Sequence, residues 1–171
     1  MDKGYVQVYT GNGKGKTTAA LGLAVRAACA GKNVFIGQFL KGMEYSELKL
    51  PEYFDNITMK QYGTDYFITK DPNEIDTAKA NIGFENVVEI IKSAKYDVVI
   101  LDEINIAMMM KLVDVNELIK VLSNRKESME VIITGRGAPD EIIEYADLVT
   151  EMKEIKHYYN KGVQARVGIE K

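Results

Sequence analysis

The sequence predicts an α/β layered fold built on a mainly parallel six-stranded sheet, and three observations carry that prediction. Short apolar runs rich in Val, Ile, Phe and Tyr recur six times along the chain. Stretches of helical period lie between several of them, so strand and helix alternate. No Asn-Gly or Asp-Gly hairpin turn joins any of the strand pairs, which leaves crossover connections and parallel neighbours.

The first strand is read at 5–9, and an Ala-rich helix at 16–30 follows it, stopped near Gly31. The second strand is read at 34–40. The segment Lys41–Pro72 is the least regular, with two of the three prolines and many aromatics around a single short strand at 57–62; such segments in compact domains are commonly binding loops. A helix at 76–95 leads to the strand 97–101, whose run Val98–Leu101 reads as a central strand buried on both faces. Helix 115–124, strand 131–134, helix 140–146 and strand 148–152 complete the alternation. There is no internal repeat, low-complexity tract or linker.

The 171 residues make one compact domain over 1–171, given roughly 100–200 residues per domain, and 46% hydrophobic residues fill its core without disulfides or a structural metal. Twenty-two Lys and Arg against 25 Asp and Glu give a net charge of −3, interleaved throughout, which argues against a general nucleic-acid binder. Cys29 is the only cysteine and His157 the only histidine, so disulfides, Cys-x-x-Cys sites and His-rich metal centres are excluded. The N-terminus lacks the apolar stretch of a signal peptide, and 17–30, the most apolar segment, is broken by Arg26 and falls short of the ~20 residues of a membrane span. The expectation is a cytoplasmic protein with no membrane partner.

The run Thr10-Gly11-Asn12-Gly13-Lys14-Gly15-Lys16-Thr17-Thr18 leaves the first strand and opens the first helix, the context a phosphate-binding loop requires. Glycines let successive N–H groups converge on phosphate oxygens, and the helix N-terminus adds partial positive charge. Lys16 is placed on phosphate and the Thr17 hydroxyl on Mg²⁺. The usual spacing asks for a first glycine at position 10, but Thr10 stands there and the glycine comes one residue late, at Gly11. With this loop the expectation becomes a three-layer P-loop NTPase fold.

The strand at 97–101 runs into Asp102-Glu103, which in P-loop proteins places an acid near the bound metal. Asp102 is expected to hold Mg²⁺ directly or through water, with Glu103 as second ligand or as polariser of the reacting group. The strand at 131–134 runs into Gly135-Arg136-Gly137, and Arg136 either reaches the phosphates or lies on the surface of its turn. Cys29 is expected on the apolar side of the first helix, Met108, Met109 and Met110 as gap-filling side chains, and Glu85 and Glu89 on a solvated helix face. No single role follows for His157.

These residues resemble those of the P-loop ATP:corrinoid adenosyltransferases. The resemblance rests on 10–22 (TGNGKGKTTAALG), the Leu101-Asp102-Glu103-Ile104 step, 134–139 (TGRGAP), 146–152 (ADLVTEM) and the ending Lys156-His157, Gly162-Val163-Gln164-Ala165, Gly168-Ile169-Glu170, nearly end to end. It implies a RecA-like fold, with which the motif order also agrees. It further implies transfer of the 5′-deoxyadenosyl group of ATP to the Co(I) of a reduced corrinoid with release of triphosphate, using Mg²⁺ or Mn²⁺. It implies a homodimer, a flavoprotein reductase as electron donor, and a corrinoid lying over the nucleotide near 41–72. Where well-known members carry a Phe and a Trp that help displace the lower axial ligand, alignment through Gly63-Thr64 puts Tyr66 and Ile68, and the chain has no tryptophan. Some members begin with an extra helix covering a partner's corrinoid, whereas the first strand here starts almost at Met1. Two other readings share the loop: a nucleoside-kinase-type phosphotransferase, and an ATP-dependent switch or assembly protein.

Overall fold

The computed structural model describes residues 2–65 and 72–171. Six strands, β1 (Val6–Thr10), β2 (Val34–Phe39), β3 (Ile57–Tyr62), β4 (Val98–Asp102), β5 (Glu130–Thr134) and β6 (Leu148–Glu151), form one sheet in the order β3-β2-β4-β5-β1-β6. Every pairing in it is parallel. Parallel neighbours need crossovers, and the helices α1 (Lys16–Cys29), α3 (Glu74–Ser93), α5 (Val115–Ser123) and α6 (Asp140–Tyr145) supply them, with the short α2 (Leu50–Tyr53) and α4 (Ile104–Met109) between.

The helices cover both faces of the sheet, which makes three layers. On one face Ala20, Ala24 and Ala28 of α1 pack on Val34, Ile36, Val98, Ile100 and Ile132. Alanines at four-residue spacing bring the helix axis close to the sheet and carry the phosphate loop with it. On the other face Phe35, Phe39, Val99, Leu101, Val131 and Ile133 meet Ala80, Val87 and Ile91 of α3, Leu118 and Leu122 of α5 and Ile142 of α6. The strands β2 and β4 are therefore buried on both faces, as the apolar run at Val98–Leu101 leads one to expect.

Helix ends follow local chemistry. Asn73 caps α3, its side chain accepting from the N–H of Ile75 and Asp76 while Asp76 accepts from the Asn73 N–H. Asp114 caps α5 through the N–H of Glu117 (2.9 Å).

Three local expectations change. Cys29 is exposed, because the buried stripe of α1 runs through Ala20, Ala24 and Ala28 and the next residue lies about 100° round the helix. Within 41–65 the chain forms a 3₁₀ turn at Ser46–Lys49 and the helix α2 besides the strand. Of the three methionines only Met108 is buried; Met109 is exposed and Met110 borders a cleft. Glu85 and Glu89 lie on an exposed face, as expected.

Candidate active site

Because all pairings are parallel, β1, β4 and β5 deliver their carboxyl ends to the same edge of the sheet, where open α/β sheets place ligands. That edge carries the loop 11–15, the Asp102-Glu103 pair and the Thr134–Gly137 turn around a cleft of about 800 Å³. Strand β5 separates the loop-bearing β1 from the acid-bearing β4.

The loop needs its glycines. Gly11 (φ 94°) and Gly15 (φ 121°) adopt positive φ, and a Cβ on Gly11 would stand 2.5 Å from the Met152 carbonyl oxygen. Gly13 donates its N–H to that same oxygen (2.6 Å), so the loop leans on the chain just past β6. Lys16, 7% exposed, donates from Nζ to the Gly13 carbonyl (2.7 Å). Burial holds its pKa below the ordinary value, with Arg136 acting in the same sense and the acids Glu103 and Asp102 opposing. The first turn of α1 carries no acid, which leaves its N-terminal N–H groups open to an anion. Asn12, Lys14 and Thr18 also line the cleft.

Asp102 is 1% exposed and accepts four hydrogen bonds. Thr17 Oγ1 (2.9 Å) and Thr134 Oγ1 (2.6 Å) donate to Oδ1, and Gln38 Nε2 (3.0 Å) and Lys41 Nζ (2.8 Å) to Oδ2. Gln38 is in register with Asp102 on the neighbouring strand and is steadied by Gln61, whose Nε2 donates to its Oε1 (3.1 Å). Gln38, Gln61 and Lys41 were not singled out from sequence; the one available signal was a glutamine inside the wholly buried strand Val34–Phe39.

Glu103 follows in the left-handed region (φ 60°), a conformation that costs a non-glycine residue energy and is held by its N–H donating to Thr134 Oγ1 (3.0 Å). Its Oε2 is buried with no partner among the described residues, and it lines the cleft with Thr17. Burial and then the charge of Asp102 push its pKa up, against Lys41, Lys16 and Arg136. An orphaned carboxylate oxygen and a threonine hydroxyl on one cleft are hard donors suited to Mg²⁺ or Mn²⁺, which bind through one or two carboxylates completed by phosphate and water. No group of three or more His, Cys, Asp and Glu side chains able to hold a metal occurs among the described residues.

Arg136 is exposed on its turn and lines the cleft, and the buried Asn105 supports that turn by donating to the Gly135 carbonyl (3.1 Å). Tyr66 and Ile68 lie outside the described residues.

The chain past β6 forms the opposite wall. His157 starts a 3₁₀ turn at Tyr158–Lys161, its Nδ1 accepting from the Tyr159 N–H (3.0 Å), and it borders the cleft with Ala165, Gly168 and Ile169. Glu170 ties this segment: Arg166 donates from Nε to Oε2 (3.2 Å) and from Nη2 to Oε1 (3.1 Å), and Tyr158 donates its hydroxyl. Lys14 of the phosphate loop reaches over to the Ile169 carbonyl (3.2 Å). Hydrogen bonds from Arg166 and Tyr158 hold the Glu170 carboxyl down at about 2. A depressed carboxylate contributes stability that is complete above its unfolded value and lost as pH falls through the folded one. In a carbon-13 titration Glu170 is therefore expected to turn over near 2; a midpoint at the ordinary glutamate value of about 4.3 would mean the knot does not form in solution.

The fold and this cleft define a nucleotide-binding P-loop protein of the RecA-like type. Comparison with known proteins makes that class specific: the family described as ATP:corrinoid adenosyltransferase BtuR/CobO/CobP matches residues 2–170. The chain is 38% identical over 173 residues to a corrinoid adenosyltransferase of Sinorhizobium sp, covering 99% of this chain and 81% of the relative. It is 35% identical over 170 residues to the corrinoid adenosyltransferase of Escherichia coli strain K12, and 36% over 170 residues to the corrinoid adenosyltransferase CobA of Salmonella typhimurium strain LT2. Each of those matches covers 99% of this chain and 86% of the relative. The chain belongs to the ATP:corrinoid adenosyltransferase family.

Proposed function

We propose that this chain transfers the 5′-deoxyadenosyl group of ATP to the Co(I) of a reduced corrinoid and releases triphosphate, in adenosylcobalamin synthesis or salvage. The observation that carries the reading is the family match over residues 2–170, which spans both the phosphate loop and the far wall of the cleft. The cobalt supplies the electron pair of the new Co–C bond and ends as Co(III), while the pair of the broken C5′–O bond leaves with the triphosphate. No proton has to be removed from the nucleophile, so the chain's own work is electrostatic and positional.

Lys16 and the N–H groups of Gly15 and Thr17 stabilise charge on the departing triphosphate, and Arg136 and Lys14 add to it from the cleft rim. Asn12, Gly11 and Thr18 shape the loop. Thr17, Glu103 and Asp102, the last directly or through a water, are the groups that would hold a divalent cation, and Asp102 also orients Thr17 from behind; when bound, Mg²⁺ or Mn²⁺ would screen the triphosphate. The glycine that comes one residue late fits a loop that presents the whole triphosphate as leaving group rather than a γ-phosphorus. The segment that leaves β2 borders the cleft, and we assign the corrinoid to that side, with Tyr66 as the residue the family alignment brings to it. A single domain over 1–171, a homodimer, a flavoprotein reductase as electron donor and a cytoplasmic setting, where ATP and reducing equivalents are supplied, belong to the same reading. Among the described residues no helix is long and apolar enough to cross a membrane.

The test is an anaerobic assay with ATP, Mg²⁺ and chemically reduced cobalamin. The expected products are a light-sensitive Co–C corrinoid and intact triphosphate in equal amounts. An unchanged corrinoid spectrum with ADP accumulating would overturn the reading in favour of phosphoryl transfer or hydrolysis.

A further inference from the structure

Asp102 has no acceptor position left. An ionised carboxylate offers about four lone-pair sites, and Thr17, Thr134, Gln38 and Lys41 fill them at 2.6 to 3.0 Å. A hydrated divalent cation that engages this carboxylate, directly or through its water, therefore has to take the place of one of the four donors. Thr134 and Gln38 are 0% exposed and fixed by their own partners, the Glu103 N–H and Gln61. Thr17 stands at the head of α1 and keeps an oxygen lone pair for the cation while it donates.

Lys41 differs from all three. It sits on a four-carbon stem, lines the open cleft, and carries a positive charge that a divalent cation repels. The backbone beneath it is set: Leu40 turns the chain out of β2 at φ 58°, and a Cβ on Gly63 would lie 2.3 Å from the Lys41 nitrogen. Departure of the ammonium is thus a side-chain rotation, and Glu47 at 3.8 Å and the Tyr45 ring at 5.2 Å already lie beside it. Burial disfavours the Lys41 charge, but Asp102, with Glu103 and Glu47 behind it, outweighs burial and raises its pKa, so the ammonium stays charged at neutral pH.

We propose that Lys41 is a displaceable counter-ion of Asp102 that keeps divalent cations out of the site until nucleotide phosphate offers the ammonium a new partner. The cation and ATP then load together, and free cation alone loads poorly. Lys41 acts through Asp102 and is a positioning residue. The inference rests on the reading of this cleft as a nucleotide site.

The test measures Mn²⁺ binding to nucleotide-free protein by electron paramagnetic resonance. Lys41→Met is expected to bind Mn²⁺ at least about tenfold more tightly than wild type, since it removes one positive charge a few ångströms from the ion. Lys41→Arg, which keeps the charge, is expected to bind as weakly as wild type. A merely structural lysine would produce loss rather than gain. If Lys41→Met lacks a native circular dichroism spectrum, Lys41→Gln replaces it with the same direction expected. Mn²⁺ affinity within twofold of wild type in the neutral variant, with ATP binding intact, would overturn the proposal. Equilibrium ATP binding measured in parallel keeps the two readings apart. Wild-type protein that fails to bind ATP yet shows a Lys41-dependent Mn²⁺ affinity would overturn the nucleotide reading and leave the counter-ion role standing.

Discussion

Lys16→Ala is expected to lower turnover at least about a hundredfold while leaving the fold intact. The first half follows from where the ammonium stands: at the head of α1, nearly buried, and among the described residues bonded only to the Gly13 carbonyl of the loop it closes. Even a neutral donor placed in advance on developing negative charge is worth roughly a factor of 10²–10³. The second half follows from what is not disturbed. Burial already acts against the charge of Lys16, alanine is the best helix former, and the core stripe of α1 begins at Ala20. Steady-state kinetics with a thermal melt decide it; near-normal turnover in a folded variant removes Lys16 from the phosphate site.

Asp102→Ala is expected to cost on the order of 3–5 kcal/mol of stability, because it strands a part-buried ammonium and three buried or half-buried polar donors at once. For a chain of this size that lowers the melting temperature by on the order of 10 °C. The nearest remaining carboxylate to Lys41 is Glu47, at 3.8 Å, and it already accepts from Gln38 (3.1 Å). Asp102→Asn keeps the shape but turns an N–H₂ toward two of the donors, so it destabilises in the same direction and raises the Mg²⁺ concentration needed for half-maximal rate. A melt within a degree or two of wild type for Asp102→Ala would mean the carboxylate does not hold these strands together.

The architecture was largely legible in the sequence because its signals are local. The strand runs fall within one residue of β1 to β6, and glycines followed by Lys16-Thr17 sit where a strand meets a helix. Helix α4 escaped because six residues are too few to display a period, and it starts one residue after β4 through the left-handed Glu103. The surroundings of Asp102 escaped for a different reason. Gln38 with Lys41, and Thr134, come from two stretches far apart in the chain, and only the pairing of β2 and β5 with β4 brings them to one carboxylate. Such a constellation is a property of strand order, which no window of residues contains. Cys29 was misplaced by the smallest margin the helix allows, one residue of rotation.

The pairing of β1 has a consequence for how the molecule comes into being. Strand β1 has no neighbour among the strands that follow it directly; among the described residues it pairs with β5 and β6, Val6 lying opposite Val131 and Gln7 opposite Leu148. At about 5–20 residues per second on the ribosome, the nascent chain holds β1 without its sheet partners for on the order of ten seconds. During that interval its unpaired edge is open to chaperones or to a neighbouring nascent chain. ATP has no finished loop to grip until the Met152 carbonyl arrives to receive Gly13. The phosphate loop, made well before β5 and β6, becomes a binding site only after they are in place.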